Sequence, residues 1–294
     1  MYKLFDVDVI KNQYTIFFCG ISKNCIKTIK SNLDFISSFK EFTDYEIFTV
    51  FIDSDSTDGT KKIIHNFSKR NSNSKSKDLD GMESIYTNRI ERIVNSRNEC
   101  LKVLNSTKKN DNIIYIPLDL DIDIFKFTSV EEFQELIEYV IKKNKPNGIF
   151  PFSLPYYYDI FALRATNWVN YNSQYWVKRL KKIFKIGSFI FNYIYIFRHQ
   201  IKPENLFKKN SKIFSAFGGI GIYKLNNNFN FYSLDSKHPE DVSEHIMFNS
   251  QFNDLEILIN WKIPAPNEHL EYHLLSGISK FKYIFKTLMF DFTK

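Results

Sequence analysis

The sequence predicts an α/β protein in which helices cover both faces of a mainly parallel central sheet. Buried-strand patterns alternate with helical periodicity along residues 14–143, and parallel strands need long crossovers of this kind. The composition is that of a folded chain, with 44% apolar, 25% charged and 17% aromatic residues. At 294 residues the chain is also long enough to bury a substantial core without disulfides.

Three strands and four helices account for the alternation in the first half of the chain. Uninterrupted runs of aromatic and β-branched residues predict strands over 14–20, 45–52 and 112–118. Apolar residues at helical spacing predict helices over 24–37, 58–67, 88–104 and 131–143. The segment 68–81, SKRNSNSKSKDLDG, has no apolar periodicity, and we expect a surface loop there.

The second half of the chain is less regular. Apolar runs predict strands over 148–154 and 157–163, and a basic aromatic stretch predicts a helical region over 176–197. A further strand is predicted over 212–223, where three glycines interrupt the pattern. The sequence contains no internal repeat.

Charge and cysteine content bear on partners and location. The formal net charge of +7 suits an acidic partner such as a nucleotide diphosphate, an anionic lipid headgroup or a nucleic acid. Cys19, Cys25 and Cys100 form an odd set without CxxC spacing, which favours a reducing compartment. The N-terminus lacks the features of a signal peptide, and the apolar segment 183–197 is shorter than the roughly 20 residues of a spanning helix. We therefore expect a cytoplasmic protein without a transmembrane helix.

Three aspartates alternate directly after a predicted strand, in IPLDLDID at residues 116–123. Clustered carboxylates repel one another, so Asp119, Asp121 and Asp123 indicate a divalent cation site, although a solvated acidic turn can have the same residues. Mg²⁺ or Mn²⁺ takes one or two carboxylates, with water and phosphate oxygens completing the shell. An EF-hand is excluded, because neither the required Gly nor the required Glu stands at its position.

A second polar cluster follows another predicted strand, in FIDSDSTDGT at residues 51–60. Its Ser and Thr residues and Asp58 are typical of a helix cap and turn. Asp53 and Asp55 lie at the strand end, where a base or ribose could bind in an open α/β sheet.

A third motif, TNRIERIVNSRNECL at residues 87–101, places three arginines on one predicted helix. Arg is well suited to bidentate phosphate contacts. We favour Arg97 with the adjacent Asn98 for this role, since Arg89 and Arg92 could equally be exposed helix surface.

In this order and spacing the motifs resemble those of GT-A glycosyltransferases, which have a Rossmann-like nucleotide-diphospho-sugar transferase fold. The motifs are CGISKN at 19–24, DSDSTDGT at 53–60, RIERIVNSRNECL at 89–101 and DLD at 119–121. More narrowly, three later segments resemble the capsule-associated α-1,3-mannosyltransferase group of fungi and its microbial and viral relatives. These segments are YYYDIFALR at 156–164, SAFGGIGIYK at 215–224 and SEHIMFN at 243–249.

The resemblance implies a single GT-A domain over residues 1–294. Residues 14–125 would form the nucleotide-sugar-binding half, 126–250 the acceptor-side half and 251–294 a C-terminal extension. The implied reaction moves a sugar from a nucleotide-diphosphate sugar to a glycan or lipid-linked saccharide acceptor, with Mn²⁺ or Mg²⁺ as cofactor. The implied partners include no nucleic acid.

The resemblance also implies roles for individual residues. Asp119 and Asp121 match the metal-binding DxD, and Arg97 matches a basic residue near the diphosphate. Glu244 matches an acidic residue near the acceptor, where it would be the general base of an inverting enzyme; for a retaining enzyme no base is assigned. The other implied donor-site residues are Cys19, Gly20, Ser22, Asp53, Asp55, Leu120, Gly218 and Gly219.

Two features extend the implied metal site. Asp123 adds a third acid to the DxD, which leaves open which two aspartates bind the metal; we rank Asp121 first because it is central. His273 is a candidate for a C-terminal metal ligand of the kind that some GT-A enzymes use, and His269 is the alternative.

Two other functional classes remain open at the level of sequence. Clustered acids beside basic residues also serve two-metal phosphoesterases and nucleases. The basic aromatic stretches WVKRLKKIFK at 176–185 and KFKYIFKTLMFDFTK at 280–294 suit a protein that binds a membrane surface or a nucleic acid. We expect peripheral membrane contact to accompany catalysis rather than to replace it.

Overall fold

The computed structural model describes residues 14–277 except 109–111, 143–144, 184–187 and 227, together with residues 279 and 282. These residues form a nine-stranded sheet with flanking helices. The strands are β1 (Thr15–Ser22), β2 (Glu46–Asp53), β3 (Ser74–Asp78), β4 (Ile113–Asp119), β5 (Gly148–Leu154), β6 (Arg164–Ala165), β7 (Ile213–Ser215), β8 (Ile222–Leu225) and β9 (Leu255–Pro264). The α-helices are α1 (Ile29–Phe42), α2 (Thr60–Arg70), α3 (Met82–Ile85), α4 (Arg89–Thr107), α5 (Val130–Ile141), α6 (Ser173–Ile183), α7 (Ser188–Tyr195), α8 (Glu244–Asn249) and α9 (Glu271–Leu274).

The strands lie in the order β3-β2-β1-β4-β8-β5-β9-β7-β6. The four long ladders, β1 with β2, β1 with β4, β2 with β3 and β5 with β9, are parallel. Every antiparallel ladder involves β7 or β8 and contains at most three residue pairs. Seven of the nine strands in the described residues therefore run in one direction. This confirms the predicted mainly parallel sheet.

Helices cover both faces of the sheet, as predicted. Ile16 and Phe18 of β1 pack in a core that includes residues of α1 and α5. Phe17 and Cys19, which point the other way, pack in a second core that includes residues of α4. Successive side chains of a strand face opposite sides of the sheet, so a central strand covered on both faces reads as an uninterrupted apolar run.

Three segments differ from the prediction. Residues 74–78 form β3 within the predicted surface loop, because an edge strand pairs through its backbone and needs no apolar face. Residues 157–163 form irregular backbone with a turn at 160–162, and their apolar side chains pack in the core although they belong to no strand. The predicted strand over 212–223 divides into β7 and β8 around Gly218 and Gly219, whose φ angles are 76° and 98°.

Strand β9 has no counterpart in the predicted elements, although it lies inside the sheet between β5 and β7. Its register against β5 shifts between Pro151 and Phe152, so the alternation of buried and exposed residues breaks along the strand. The sequence of β9 therefore lacks the strict alternation of apolar and polar residues that would predict a strand.

The predicted helical region over 176–197 corresponds to α6, α7 and a 3₁₀ turn at Phe197–His199. Within the described part of the chain, no helix has the length and apolar character needed to cross a membrane. Most of the basic stretch at 280–294 lies outside the described residues.

Candidate active site

A cleft of about 1090 Å³ lies at the carboxyl ends of β1 and β4. Its lining includes Ser22 at the end of β1 and Asp119 at the end of β4. The N-terminal half of α4, up to Arg97, contributes to the surrounding walls, together with residues of the helices α6, α7 and α8 and of the 3₁₀ turn Asn267–His269. The cleft thus occupies the edge of the sheet where polar strand ends are expected to serve a ligand.

Two of the three alternating aspartates face this cleft. Asp119 is the last residue of β4, Asp121 lies in the turn that follows, and both line the cleft. Asp123 is not part of the lining; its Oδ1 accepts a hydrogen bond from Ser31 Oγ of α1 at 2.9 Å. The structure therefore separates Asp119 and Asp121 from the third acid.

Helix α1 fixes the backbone of the acidic turn. The Nδ2 of Asn32 donates to the Ile122 carbonyl at 2.8 Å, and its Oδ1 accepts from the Ile124 amide at 3.1 Å. Thr28 Oγ1 donates to the Leu120 carbonyl at 2.5 Å. Asn32 is completely buried, so these bonds replace solvent contacts that the turn would otherwise need. The orientation of Asp121 is consequently set by the scaffold beneath it.

The carboxyl of Asp121 is exposed to the cleft but surrounded by protein. Desolvation raises its pKa to about 6, and the negative charge of Asp119 adds to this effect. Arg89 opposes the increase in pKa, whereas Glu268 adds to it. The positive charges and hydrogen-bond donors of the protein therefore do not fully offset the negative charge of ionised Asp121.

Arg97 joins the acidic turn to a distant helix. Its guanidinium is 2% exposed; Nη2 donates to Asp119 Oδ1 at 2.7 Å and Nε donates to Glu244 Oε1 at 3.1 Å. The rings of Phe217 and Tyr232 lie 4.8 and 5.6 Å from the guanidinium carbon, within the range of cation–π attraction. Nη1 is buried and makes no hydrogen bond to the described residues.

Together, the ion pairs of Arg97 affect its pKa more than its burial does. Burial disfavours its charged form, but the negative charges of Asp119 and Glu244 hold its pKa well above the ordinary value. Arg97 is thus a fixed positive charge between two carboxylates. It contributes structure to the cleft as well as charge.

Glu244 is the first residue of α8 and lines the cleft while only 5% exposed. Burial raises the pKa of its carboxyl, Asp119 raises it further, and Arg97 lowers it. Ser243 caps the helix by accepting from the His245 amide at 3.3 Å. The helix cap at Ser243 thus fixes the backbone at Glu244, and the hydrogen bond from Arg97 fixes its carboxylate.

His245 lies beside Glu244 and is buried against Phe217, with the two ring centroids 3.6 Å apart. Burial and the charge of Arg97 lower the pKa of His245 well below its ordinary value. Its Nε2 lies 3.3 Å from Glu244 Oε1, yet neither ring nitrogen makes a hydrogen bond to the described residues. The neutral imidazole therefore acts here as an aromatic packing group.

The two predicted glycines shape the loop behind the acidic turn. The Gly219 carbonyl accepts from the Asp119 amide at 2.8 Å, and the Gly218 amide donates to Asp159 Oδ2 at 2.9 Å. A Cβ on Gly219 would stand 2.9 Å from Ile122 Cδ1. Neither glycine lines the cleft, so their positive φ angles account for glycine here.

Asp53 and Asp55 are occupied by local hydrogen bonds and do not line the cleft. Asp53 Oδ2 accepts from Ser22 Oγ at 2.7 Å and from Ser56 Oγ at 2.6 Å. Asp55, at φ 60°, accepts from the Gly81 amide at 2.6 Å. Both acids thus hold the loop that follows β2.

Three other predicted donor-site residues are packing residues. Cys19, Gly20 and Leu120 are buried and lie outside the cleft lining. A Cβ on Gly20 would stand 2.8 Å from Leu120 Cδ1 and from Phe51 Cδ1. Gly20 is therefore required by close packing between strands and the acidic turn.

The two C-terminal histidines have different surroundings. His269 is exposed, lines the cleft and stacks on Tyr158 with the ring centroids 5.2 Å apart. His273 does not line the cleft; it stacks on Tyr156 at 4.2 Å, and its Nε2 lies 3.1 Å from the Phe197 carbonyl. The cleft lining favours His269 over the predicted His273.

Residues that sequence reasoning did not favour also face the cleft. Arg89 and Lys23 are exposed cations in its lining, whereas the favoured Arg97 is enclosed. The helical spacing in the sequence indicates this difference in exposure. Arg97 falls on the same face of the helix as Ile90, Val94, Leu101 and Leu104, and this face is buried. Asp159 likewise lies in the lining, within the quoted segment YYYDIFALR.

The oxygen donors of the cleft fit a divalent cation. Asp119 and Asp121 are neighbouring carboxylates at a strand end, and Mg²⁺ typically takes one or two carboxylates plus water and phosphate oxygens. In the described ranges, no group of three or more His, Cys, Asp or Glu side chains forms a closed metal cage. The donor set suits a cation whose shell a phosphorylated ligand completes.

No protein-family model and no curated protein sequence matches the chain. Solved structures are similar at low identity. Mycobacterium tuberculosis glucosyl-3-phosphoglycerate synthase with Mn²⁺, UDP-glucose and phosphoglyceric acid aligns at 12% identity over 99% of this chain and 84% of that chain, with a TM-score of 0.42. Staphylococcus aureus TarS with UDP aligns at 14% identity over 88% and 62%, with a TM-score of 0.46.

Mannosyl-3-phosphoglycerate synthase from Rubrobacter xylanophilus aligns at 11% identity over 95% of this chain and 72% of that chain, with a TM-score of 0.40. Three further alignments, to mycobacterial proteins at 15% identity, cover 52% of this chain and only 45%, 50% and 49% of those chains. The chain itself has a mixed α/β fold with a large, mostly parallel central sheet.

Proposed function

We propose that this chain is a GT-A type glycosyltransferase that moves a sugar from a nucleotide-diphosphate sugar to a glycan or lipid-linked saccharide acceptor. The observation that carries the proposal is the presence of Asp119 and Asp121 together in a large cleft at the carboxyl ends of β1 and β4. The ordered motifs that resemble GT-A enzymes support it, and the narrower resemblance to capsule-associated α-1,3-mannosyltransferases makes mannose the first donor sugar to test.

Asp119 and Asp121 would hold Mn²⁺ or Mg²⁺. When bound, the cation neutralises charge on a departing nucleoside diphosphate as a Lewis acid. Arg97 keeps Asp119 oriented through the 2.7 Å contact.

Arg89 and Lys23, two of the exposed cations of the lining, would pair with phosphate oxygens, for which Lys23 would exchange its present ion pair with Glu83. Ser22, at the end of β1, adds a hydroxyl that could accept a hydrogen bond, since its own proton is donated to Asp53.

Glu244 is the group that would act on the acceptor. Its carboxyl lines the cleft, and burial raises its pKa, which makes it a stronger base than an ordinary glutamate. In an inverting reaction Glu244 would accept the proton of the acceptor hydroxyl. In a retaining reaction it would orient that hydroxyl without taking its proton.

The proposal covers residues 1–294 as a single catalytic domain of a cytoplasmic enzyme. It treats 14–125 as the donor half and 126–250 as the acceptor half, with strand β9 of the segment 251–294 completing the sheet. A two-metal phosphoesterase would need more metal-binding side chains than the pair Asp119 and Asp121 supplies. No group of three or more His, Cys, Asp or Glu side chains suited to a metal occurs among the described residues.

A donor-hydrolysis screen tests the proposal. Purified protein is incubated with UDP-, GDP- and CMP-sugars, with and without Mn²⁺, and released nucleotide is measured. We expect metal-dependent release from one donor and a loss of roughly 100-fold in Asp121→Asn, since that variant replaces an anionic cation ligand with a neutral amide.

Asp123→Asn is the matched control, because it makes the same substitution two positions away on a carboxylate bonded to Ser31. It should retain the wild-type rate within a few-fold. Equal rates in both variants, or release that does not depend on metal, would contradict the proposed site. Nuclease activity in the same preparation would favour the phosphoesterase instead.

A further inference from the structure

The segment that contains α6 and α7, residues 173–212, concentrates the positive charge of the chain, although α7 itself contains no Lys or Arg. Residues 173–212 contain ten of the 40 Lys and Arg residues and one of the 33 Asp and Glu residues. This segment therefore carries a formal charge of +9, and the rest of the chain carries −2. The net charge of +7 is thus a local property, and any acidic partner that it attracts would meet this segment.

The same two helices expose apolar side chains. Ile183 at the end of α6 is 61% exposed and Ile190 of α7 is 47% exposed. Trp176 and Tyr193 are also exposed large apolar residues. Arg179, Lys181 and Lys182 of α6 are exposed as well. We call these seven residues the α6–α7 surface.

The α6–α7 surface lies on helices whose other residues form part of the cleft wall. Trp176 of α6 stacks on Tyr195 of α7 with ring centroids 6.4 Å apart, and Tyr193 packs edge-on against Tyr272 of α9 at 5.7 Å. Other residues of the two helices, Lys178 and Asn192, line the cleft. The helices that carry the exposed surface therefore also contribute residues to the site.

We propose that the α6–α7 surface docks on an anionic lipid bilayer. Basic residues attract anionic headgroups, while Trp, Tyr and Ile side chains partition into the boundary between headgroups and acyl chains. A nucleic acid would bind the basic residues, but exposed isoleucines would contribute little to that binding. The combination of basic and exposed apolar side chains therefore favours a membrane. Docking would hold the cleft beside the bilayer, which, given the proposed function, identifies the acceptor as a lipid-linked saccharide.

Vesicle cosedimentation of the full chain tests the docking without any catalytic readout. Vesicles of phosphatidylcholine, with or without phosphatidylglycerol, are compared at low and high salt. Wild-type protein should bind the anionic vesicles. Because each basic residue contributes roughly fivefold to partitioning, Lys181→Glu/Lys182→Glu should bind at least roughly 30-fold more weakly.

Lys27→Glu/Lys30→Glu is the charge-matched control, since both lysines are exposed near or on α1. It should bind nearly as the wild type does. Equal weakening in both double variants would show that only net charge matters and would overturn the proposal. Absence of wild-type binding to anionic vesicles would do the same.

Ile190→Asn separates a bilayer from a nucleic acid. It should weaken vesicle binding, most visibly at high salt where charge is screened. If it changes nothing while single-stranded RNA binds with the same dependence on Lys181 and Lys182, the surface serves nucleic acid and the proposal is wrong. Donor hydrolysis in solution should be unchanged in Lys181→Glu/Lys182→Glu, so a failed donor screen and a failed docking test are distinguishable.

Discussion

Replacing Arg97 with methionine should lower the free energy of unfolding by about 3–5 kcal/mol, the usual cost of removing one partner from a buried ion pair. The guanidinium is 2% exposed and lies 2.7 Å from Asp119 and 3.1 Å from Glu244. Methionine fills much of the space of the arginine stem, but it leaves Glu244 as a buried carboxylate without its cation. Most of the loss therefore comes from Glu244, since Asp119 keeps 31% of its side chain exposed.

Urea unfolding followed by tryptophan fluorescence measures this loss, because the chain contains three Trp residues. Glu244→Gln removes the stranded charge, so the double variant Arg97→Met/Glu244→Gln should be more stable than the sum of the single effects, by about 1–3 kcal/mol. Arg179→Met is the matched control at an exposed arginine and should change stability by no more than about 0.5 kcal/mol.

Two results would refute this account of Arg97. A loss of less than about 1 kcal/mol in Arg97→Met would mean that the pairs contribute no more than exposed ones do. Additive effects in the double variant would mean that Arg97 and Glu244 do not interact energetically. In either case the position of Glu244 in the cleft would need another cause.

Two further stability predictions concern the residues around this pair. Gly219→Ala should lose about 2–3 kcal/mol in urea unfolding, because φ is 98° and its Cβ would stand 2.9 Å from Ile122 Cδ1. Gly277→Ala is the control, because Gly277 has φ 49° and its Cβ would meet no atom within 4 Å. This variant should lose only about 1 kcal/mol. Equal losses in Gly219→Ala and Gly277→Ala would exclude a contribution from the contact with Ile122. His245→Phe keeps the stacking on Phe217 and removes two buried nitrogens without hydrogen bonds, so stability should be unchanged or rise by about 1 kcal/mol. A clear loss in thermal or urea unfolding would indicate that a water or ligand bonds the imidazole.

The parts of the fold that follow from the sequence are those with a continuous physical signal. Strands β1, β2 and β4 are buried on both faces, so each appears as an apolar run that ends where polar residues begin. That ending is why the acidic cluster could be placed at a strand end. Strand β3 has no buried face and β9 has a register shift, so neither produces a pattern of period two.

The site was less predictable, because its contacts join positions that are far apart in the chain. Arg97 is 22 residues from Asp119 and 147 residues from Glu244. Helical phase could have shown that Arg97 lies on the buried stripe of α4 and Arg89 does not. No pattern could have shown that Asp53 and Asp55 are occupied by local hydrogen bonds, since their spacing suits a ligand equally well.

The topology explains why these residues converge. From β1 the chain moves outward to β2 and β3, then returns to place β4 on the other side of β1. Ligands in open α/β sheets bind at such a reversal of strand order, because the connections leave the carboxyl ends of two neighbouring strands in opposite directions and open a crevice between them. Ser22 and Asp119 are the last residues of these two strands. The antiparallel β8 then lies beside β4, and the glycine loop that leads into it reaches Asp119 through the Gly219 carbonyl. The cleft is therefore a consequence of strand order, and the acids occupy a strand end where clustered charge can face both solvent and a ligand.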